Sequence, residues 1–407
     1  MSTAKSLGFA PDRLARIDRL LQERYVGPGH LPCAQFLLAR RGETVHQSVV
    51  GQQDPERGVA LAEDTVFRIY SMTKPVTSVA LMALVEEGLV ALDDPVAKHI
   101  PEWANLGVYS VGTGPYLTTP PARPMQVVDL LRHTSGLTYG FQSRTNVDAA
   151  YRALGLDERY ADLDLDGMIA ALAKLPLEFS PGEAWNYSVS TDVVGYLVQK
   201  IAGKPLAQVF QERIFDPLKM TDTGFSVRED QRARFAACYE FQPGGGLKLQ
   251  DDPTTSPYLG EPRLYSGGGG LVSTAADYMR FCRMLLNGGE LDGARILAPK
   301  TIRLMTANHL AGGADLTQMS RSLFSESTNA GVGFGLGFAV VFDPARTLVP
   351  CSPGEYYWGG MASTAFWIDP VEEVTAVFMT QLIPSSAYPI RRQLRTLVYS
   401  ALMEPNA

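Results

Sequence analysis

Paired cysteines, metal-ligand spacings, basic blocks and long apolar runs are all missing from this chain of 407 residues. Its four cysteines, Cys33, Cys238, Cys282 and Cys351, are scattered and form no C-x-x-C pair, and none of its five histidines stands in H-E-x-x-H. The spacing therefore gives no support to a zinc site, and the thiols read as small packed apolar groups. With a formal net charge of −7 and no run of lysine or arginine, nucleic acid is an unsuitable partner. No apolar run approaches the ~20 residues that cross a bilayer, and Met1 to Leu7 lack the apolar stretch of a secretory signal. These absences predict a cytoplasmic protein with no metal, no cofactor and no membrane partner. They leave the oligomeric state open. A G-x-S-x-G elbow is absent too, which disfavours the α/β-hydrolase route to a reactive serine.

What is present is an ordinary globular composition, 45% hydrophobic and 19% charged, with ample core for one large domain or two compact units. Leu14, Ile17, Leu20 and Leu21 recur at helical spacing after Pro11-Asp12. Residues 35–39 and 44–50 read as a hairpin around Arg41-Gly42. Residues 101–125 are rich in Pro, Gly and Thr and read as irregular. Residues 129–136 read as a short helix ending at Gly136. The stretch 145–240 is mainly helical, and 242–270 is loop-like and expected to line or cover a site. A helix begins at Ser273/Thr274, with Asp277 completing a capping box. Residues 333–342, 364–368 and 374–382 read as strands, and 389–403 as a last helix. A sheet drawn from both chain ends, with terminal helices over one face and a helical insert, is α+β logic.

Three short stretches carry chemistry. In Phe67-Arg68-Ile69-Tyr70-Ser71-Met72-Thr73-Lys74-Pro75, helical spacing begins at Pro75, so Ser71 and Lys74 share one face at a helix start. That is the arrangement of a nucleophile beside its own base. The spacing alone equally fits a capping serine and a surface lysine, and Ser2-x-x-Lys5 shows the same pattern in a tail. In Pro181-Gly182-Glu183-Ala184-Trp185-Asn186-Tyr187-Ser188-Val189, a tyrosine follows a rigid turn and precedes a helix. It can point into a cleft as a general base or fill the core. In Tyr357-Trp358-Gly359-Gly360-Met361, two glycines allow a close approach by a ligand or another backbone. On an edge strand, a free N–H there would face a developing oxyanion.

In this order and at these distances, the three stretches resemble the serine β-lactamase-like family. Within it the chain looks closest to family VIII carboxylesterases, relatives of class C β-lactamases and D-alanyl-D-alanine peptidases. His133-Thr134-Ser135-Gly136-Leu137 and Gly268-Gly269-Gly270-Leu271-Val272-Ser273-Thr274 are similar to further phrases of the family. The resemblance runs from about residue 10 to the C-terminus. It implies an antiparallel sheet flanked by N- and C-terminal helices, plus a mainly helical insert. The division would be residues 1–105 and 286–407 against 106–285, with the active-site cleft between them. It also implies Ser71 as acylated nucleophile, Lys74 and Tyr187 as base and acid, and the N–H groups of Ser71 and Met361 as oxyanion hole. Trp358, Gly359, Gly360, Val189 and Tyr139 would bind substrate. Two departures matter: Val189 replaces an asparagine of the β-lactamase pattern, and Trp358 replaces its basic residue. Both remove polar groups that hold a β-lactam. The expected function is therefore a carboxylesterase acting on small neutral esters. β-Lactamase, D-aminopeptidase or amidase and acyl-transferase are alternatives on the same scaffold. A non-catalytic scaffold protein is a further alternative, set against the retained serine and lysine.

Overall fold

The computed structural model describes residues 3–156, 163–321 and 329–406. Eight strands, numbered here along the chain, make one antiparallel sheet. They are β1 (Cys33–Arg40), β2 (Glu43–Asp54), β3 (Val59–Ala60), β4 (Val332–Phe334), β5 (Ala339–Val341), β6 (Tyr356–Gly359), β7 (Ala365–Asp369) and β8 (Val374–Met379). Their order across the sheet is β4-β5-β6-β7-β8-β1-β2-β3. The two ends of the chain therefore meet where β8 pairs with β1, from Gln35 opposite Met379 to Arg40 opposite Val374. The β1–β2 turn is closed by Arg41 and Gly42, both at positive φ (53° and 79°), the backbone that a tight hairpin needs.

Both sheet faces are covered, so β7 and β8 are buried along their whole lengths. Side chains alternate between faces. Phe36, Leu38, Trp367 and Phe378 meet the N-terminal helix (Pro11–Arg19, continued by a wider π turn to Val26) and the C-terminal helix Ile390–Ala401. Phe366, Ile368 and Val377 face the helix Ala275–Leu286 and a larger core. That core also holds Val76 and Val79 of the helix Thr73–Glu86, and Val193 and Leu197 of the helix Ser190–Ala202. The serine-side helix is buried nearly all round, and each large apolar side chain there contributes about 1.5–3 kcal/mol.

Several expected elements differ. Residues 101–125 contain a hairpin, Val108–Val111 with Leu117–Thr119, because β-branched side chains occupy the irregular-looking stretch. The run 242–270 opens with a second hairpin, Cys238–Phe241 with Leu247–Asp251, which borrows the C-terminal strand Leu382–Ile383 as a third partner. Gly245 and Gly246, at φ 91° and 89°, are its turn. The short helix spans Val127–Leu131 and stops well before Gly136, because His133 adopts φ 57°. Residues 333–342 are two strands rather than one. At the bend, Gly337 (φ 97°) has no room for a Cβ, which would lie 2.3 Å from Ser78 Oγ. Thr274 caps its helix through the Asp277 N–H as expected. The Asp277 carboxylate, itself buried, accepts instead from the Asp222 N–H (2.7 Å) and the Thr223 hydroxyl (2.9 Å). The strand carrying Trp358, β6, is interior rather than an edge, paired with β7 along its length and with β5 only at Tyr356 and Tyr357. Residues 157–162, within the stretch expected to be mainly helical, lie outside the described residues.

Candidate active site

Ser71 sits in a single 3₁₀ turn, Tyr70–Met72, immediately before the helix Thr73–Glu86. The approach to it is rigid. Phe67–Arg68 pairs with Val272–Ser273, and the Arg68 guanidinium, fully buried, donates to Asp251 Oδ2 (2.6 Å) and the Ala236 carbonyl (2.5 Å). Its central carbon lies 3.9 Å from the centre of the Phe235 ring. On the far side, Tyr278 donates to the Met72 carbonyl at 2.9 Å.

Two groups converge on the serine oxygen. Tyr187 Oη donates to Ser71 Oγ at 2.6 Å and Lys74 Nζ donates to it at 3.1 Å. Lys74 is 2% exposed. Its ammonium also donates to the Gly268 carbonyl at 2.6 Å and lies 4.6 Å from the centre of the Tyr187 ring and 5.3 Å from that of Tyr139. The Gly268 peptide is itself anchored, since its N–H donates to Asp192 Oδ1 (2.9 Å), which also accepts from Ser266 Oγ (2.5 Å). Asp192 stands in the first turn of the helix Ser190–Ala202, the helix that follows Tyr187. One helix start thus places the tyrosine and, through the glycine turn, the lysine.

Aromatic rings surround Tyr187. Its neighbours are His133 at 5.0 Å between centroids, Tyr139 at 5.3 Å, Trp358 at 5.5 Å and Trp185 at 6.1 Å, and Phe334 packs edge-on against Trp358 at 5.3 Å. His133 is buried, with Nδ1 3.2 Å from Ser188 Oγ. Burial, with the Lys74 charge adding to it, holds the imidazole pKa well below its ordinary value, so this ring is neutral at neutral pH. The N–H groups of Ser71 and Met361 have no acceptor among the described residues. The segment carrying Met361 abuts the serine turn, because a Cβ on Gly360 would lie 2.4 Å from the Ile69 carbonyl oxygen. Among the described residues no cluster of metal-ligating side chains occurs, and no helix is long and apolar enough to cross a membrane.

The family model described as Beta-lactamase matches residues 17–399. The chain belongs to that family. A Mycobacterium tuberculosis relative of this β-lactamase-family chain, without an assigned activity, is 38% identical over 360 residues, covering 88% of this chain and 87% of that one. Esterase EstB of Burkholderia gladioli is 31% identical over 411 residues, covering 95% and 94%. The solved structure of EstCE1, described as a hydrolase with promiscuous acyltransferase activity, superposes with a TM-score of 0.79 at 26% identity, covering 98% and 100%. This β-lactamase-family protein is a serine hydrolase.

Of the residues expected around the site, Ser71, Lys74, Tyr187, Tyr139 and Trp358 are brought together. The other three are packed closely by the protein itself. Val189 is fully buried, its N–H on the Thr138 carbonyl (3.2 Å), because it begins the helix that fills the core. Gly359 and Gly360 make room for the protein itself. A Cβ on Gly359 would lie 2.7 Å from the Arg391 guanidinium carbon, and one on Gly360 would meet Thr364 Oγ1 at 2.3 Å. Asp192 and Arg391 were not singled out from sequence. Gly268 opened a stretch similar to a phrase of the family and lay in the run expected to line or cover a site, and its carbonyl does so by accepting from Lys74.

Proposed function

We propose that this β-lactamase-family hydrolase is a carboxylesterase that cleaves small, short-chain esters through an acyl-enzyme at Ser71. The site would lie in a cleft between residues 1–105 with 286–407 and the mainly helical residues 106–285. The observation that carries the reading is one oxygen, Ser71 Oγ, held at 2.6 Å by Tyr187 and at 3.1 Å by Lys74. Ser71 Oγ attacks the ester carbonyl carbon, and its proton passes to the Lys74–Tyr187 pair, which takes part with one proton fewer, as ammonium and phenolate, so that Tyr187 Oη accepts from the serine in this step. The carbonyl oxygen, now negative, is met by the N–H groups of Ser71 and Met361. The bond to the alcohol oxygen breaks, and that oxygen takes the proton back through Tyr187. Water, deprotonated by the same pair, then attacks the acyl carbon and releases the acid as Ser71 regains its proton. The esterase relatives support the bond type. An alcohol entering in place of water would give ester exchange from the same intermediate, in line with the acyltransferase activity described for EstCE1.

The test is steady-state turnover of p-nitrophenyl butyrate together with fluorophosphonate labelling. Ser71→Ala is expected to lose both while melting as wild type does. Lys74→Ala and Tyr187→Phe are each expected to lose at least about 10²-fold in kcat. Near-normal turnover by Ser71→Ala would sink the assignment, and full rate in Tyr187→Phe would remove the tyrosine from the chemistry.

A further inference from the structure

We infer that Arg391 is a positioning residue of the oxyanion hole, acting through the Gly360–Met361 peptide. The inference rests on the reading above only in taking the Met361 N–H as an oxyanion donor. Arg391 Nη2 donates to the Gly360 carbonyl at 2.7 Å and to the Thr364 carbonyl at 2.8 Å. The Gly360 C=O and the Met361 N–H are the two ends of one planar unit. The bond between them is trans, the cis bonds being Gly114-Pro115 and Ile383-Pro384. In a trans peptide the N–H points opposite to the C=O. Holding the carbonyl therefore aims the N–H. A second donor, the Ser363 N–H at 3.2 Å, holds the same carbonyl. A cationic donor on the carbonyl also polarises the peptide and makes its N–H a stronger donor.

The guanidinium works from behind the sheet. Along β6, successive positions face opposite sides. Trp358 packs on Tyr187 and Phe334 at the cleft, whereas the empty side-chain position of Gly359 faces Arg391. Arg391 is thus separated from the cleft by the strand itself and meets substrate only through the peptide. It is also the second residue of the C-terminal helix, where the helix dipole disfavours a cation. The two carbonyls offset that cost, and Gly359 is the position that lets the guanidinium reach them.

Loss of a whole oxyanion donor costs about 10²–10³ in kcat, so loss of its alignment should cost about 10-fold. Arg391→Met is expected to lower kcat by about that factor with KM within about 2-fold of wild type. Arg391→Lys is expected to recover part of the loss. The readout that packing alone would not move is the rate ratio between an ester and its thionoester. Sulfur accepts hydrogen bonds poorly, so a misaligned hole discriminates less and the ratio should narrow. The rate of fluorophosphonate labelling of Ser71, which needs the same donors and no ester, should slow in parallel. Labelling thus still tests Arg391 if esters prove not to be substrates, in which case the ester assignment alone fails. Unchanged labelling and an unchanged oxygen-to-sulfur ratio in Arg391→Met would overturn the inference while leaving the esterase reading intact. If that variant does not fold, Gly359→Ala decides. It keeps the arginine but displaces it, and must show the same narrowed ratio and slowed labelling for the inference to stand.

Discussion

Ser71 is reached through a strained backbone: Tyr70, immediately before it, sits at φ 42°, a region that costs a non-glycine residue about 1–3 kcal/mol. The buried Arg68 network on one side and the Tyr278–Met72 hydrogen bond on the other hold it there. His133 is another non-glycine residue at positive φ, and its neutral ring supports Tyr187. Its titration has a definite sign. In the unfolded chain a histidine binds a proton near pH 6.5, whereas the buried ring does so only well below that. Its contribution to stability is therefore complete above about pH 6.5 and is lost as pH falls from there towards the folded pKa, by up to about 1.4 kcal/mol per pH unit. His133→Asn tolerates the positive φ and cannot titrate. Its urea midpoint should fall less than that of wild type between pH 7.5 and 5.0, and equal slopes would exclude His133 as the source. At this scale the sequence pointed to Ser71, Lys74 and Tyr187 through the order and distances of three short stretches together, since local spacing by itself also fits a capping serine, a surface lysine and a core tyrosine. Asp192 and Arg391 act on backbone groups 76 and 31 residues away, with no periodicity to announce them. Val189 was placed by motif position, which carries no information about burial.

The glycine turn between the helix Ser190–Ala202 and the serine helix shows how one element supplies geometry to another. A Cβ on Gly268 would lie 2.4 Å from Asp192 Oδ2, the carboxylate that fixes this turn, whereas a Cβ on Gly269 would have its nearest neighbour at 3.8 Å. Gly268→Ala must push the carboxylate away and shift the carbonyl that holds Lys74, at a cost of about 1–3 kcal/mol. We expect it to lose most of its activity and several degrees of Tm, while Gly269→Ala stays near wild type on both. Equal behaviour of the two variants in a paired melting and kinetic assay would contradict this. The main elements were legible from apolar periodicity, as in the helix that follows Ser71 and the hairpin around Arg41-Gly42. The second hairpin was masked by the Gly244–Gly246 run, although Leu247 and Leu249 alternate with Lys248 and Gln250 beside it. The interior place of β6 depends on which strands neighbour it, which a single segment does not encode.

Across the whole molecule, aromatic rings surround Tyr187 beside the serine, and Arg391 stands against Gly359, on the side of its strand opposite Trp358. A substrate carboxylate placed against Trp358 would meet the apolar ring, the indole N–H being buried, and without a counter-charge beside it would carry a desolvation cost of several kcal/mol. A small neutral ester avoids that cost and gains apolar contact. We therefore expect kcat/KM for p-nitrophenyl butyrate to exceed that for nitrocefin by at least about 10³, the equivalent of roughly 4 kcal/mol, and ester turnover to fall with longer acyl chains. Comparable values for the two substrates would restore the β-lactamase alternative. The pairing of β8 with β1 has a consequence for how the enzyme is made. The N-terminal hairpin leaves the ribosome with one edge bare, and the strand that covers it emerges roughly 330 residues later. At about 5–20 residues per second, that edge waits roughly 20–70 s for its partner. Met361 also follows Ser71 by most of the chain. On the proposed mechanism the serine is thus translated early and its second oxyanion donor late, while the bare strand edge is the exposed feature of the growing chain until its last strands arrive.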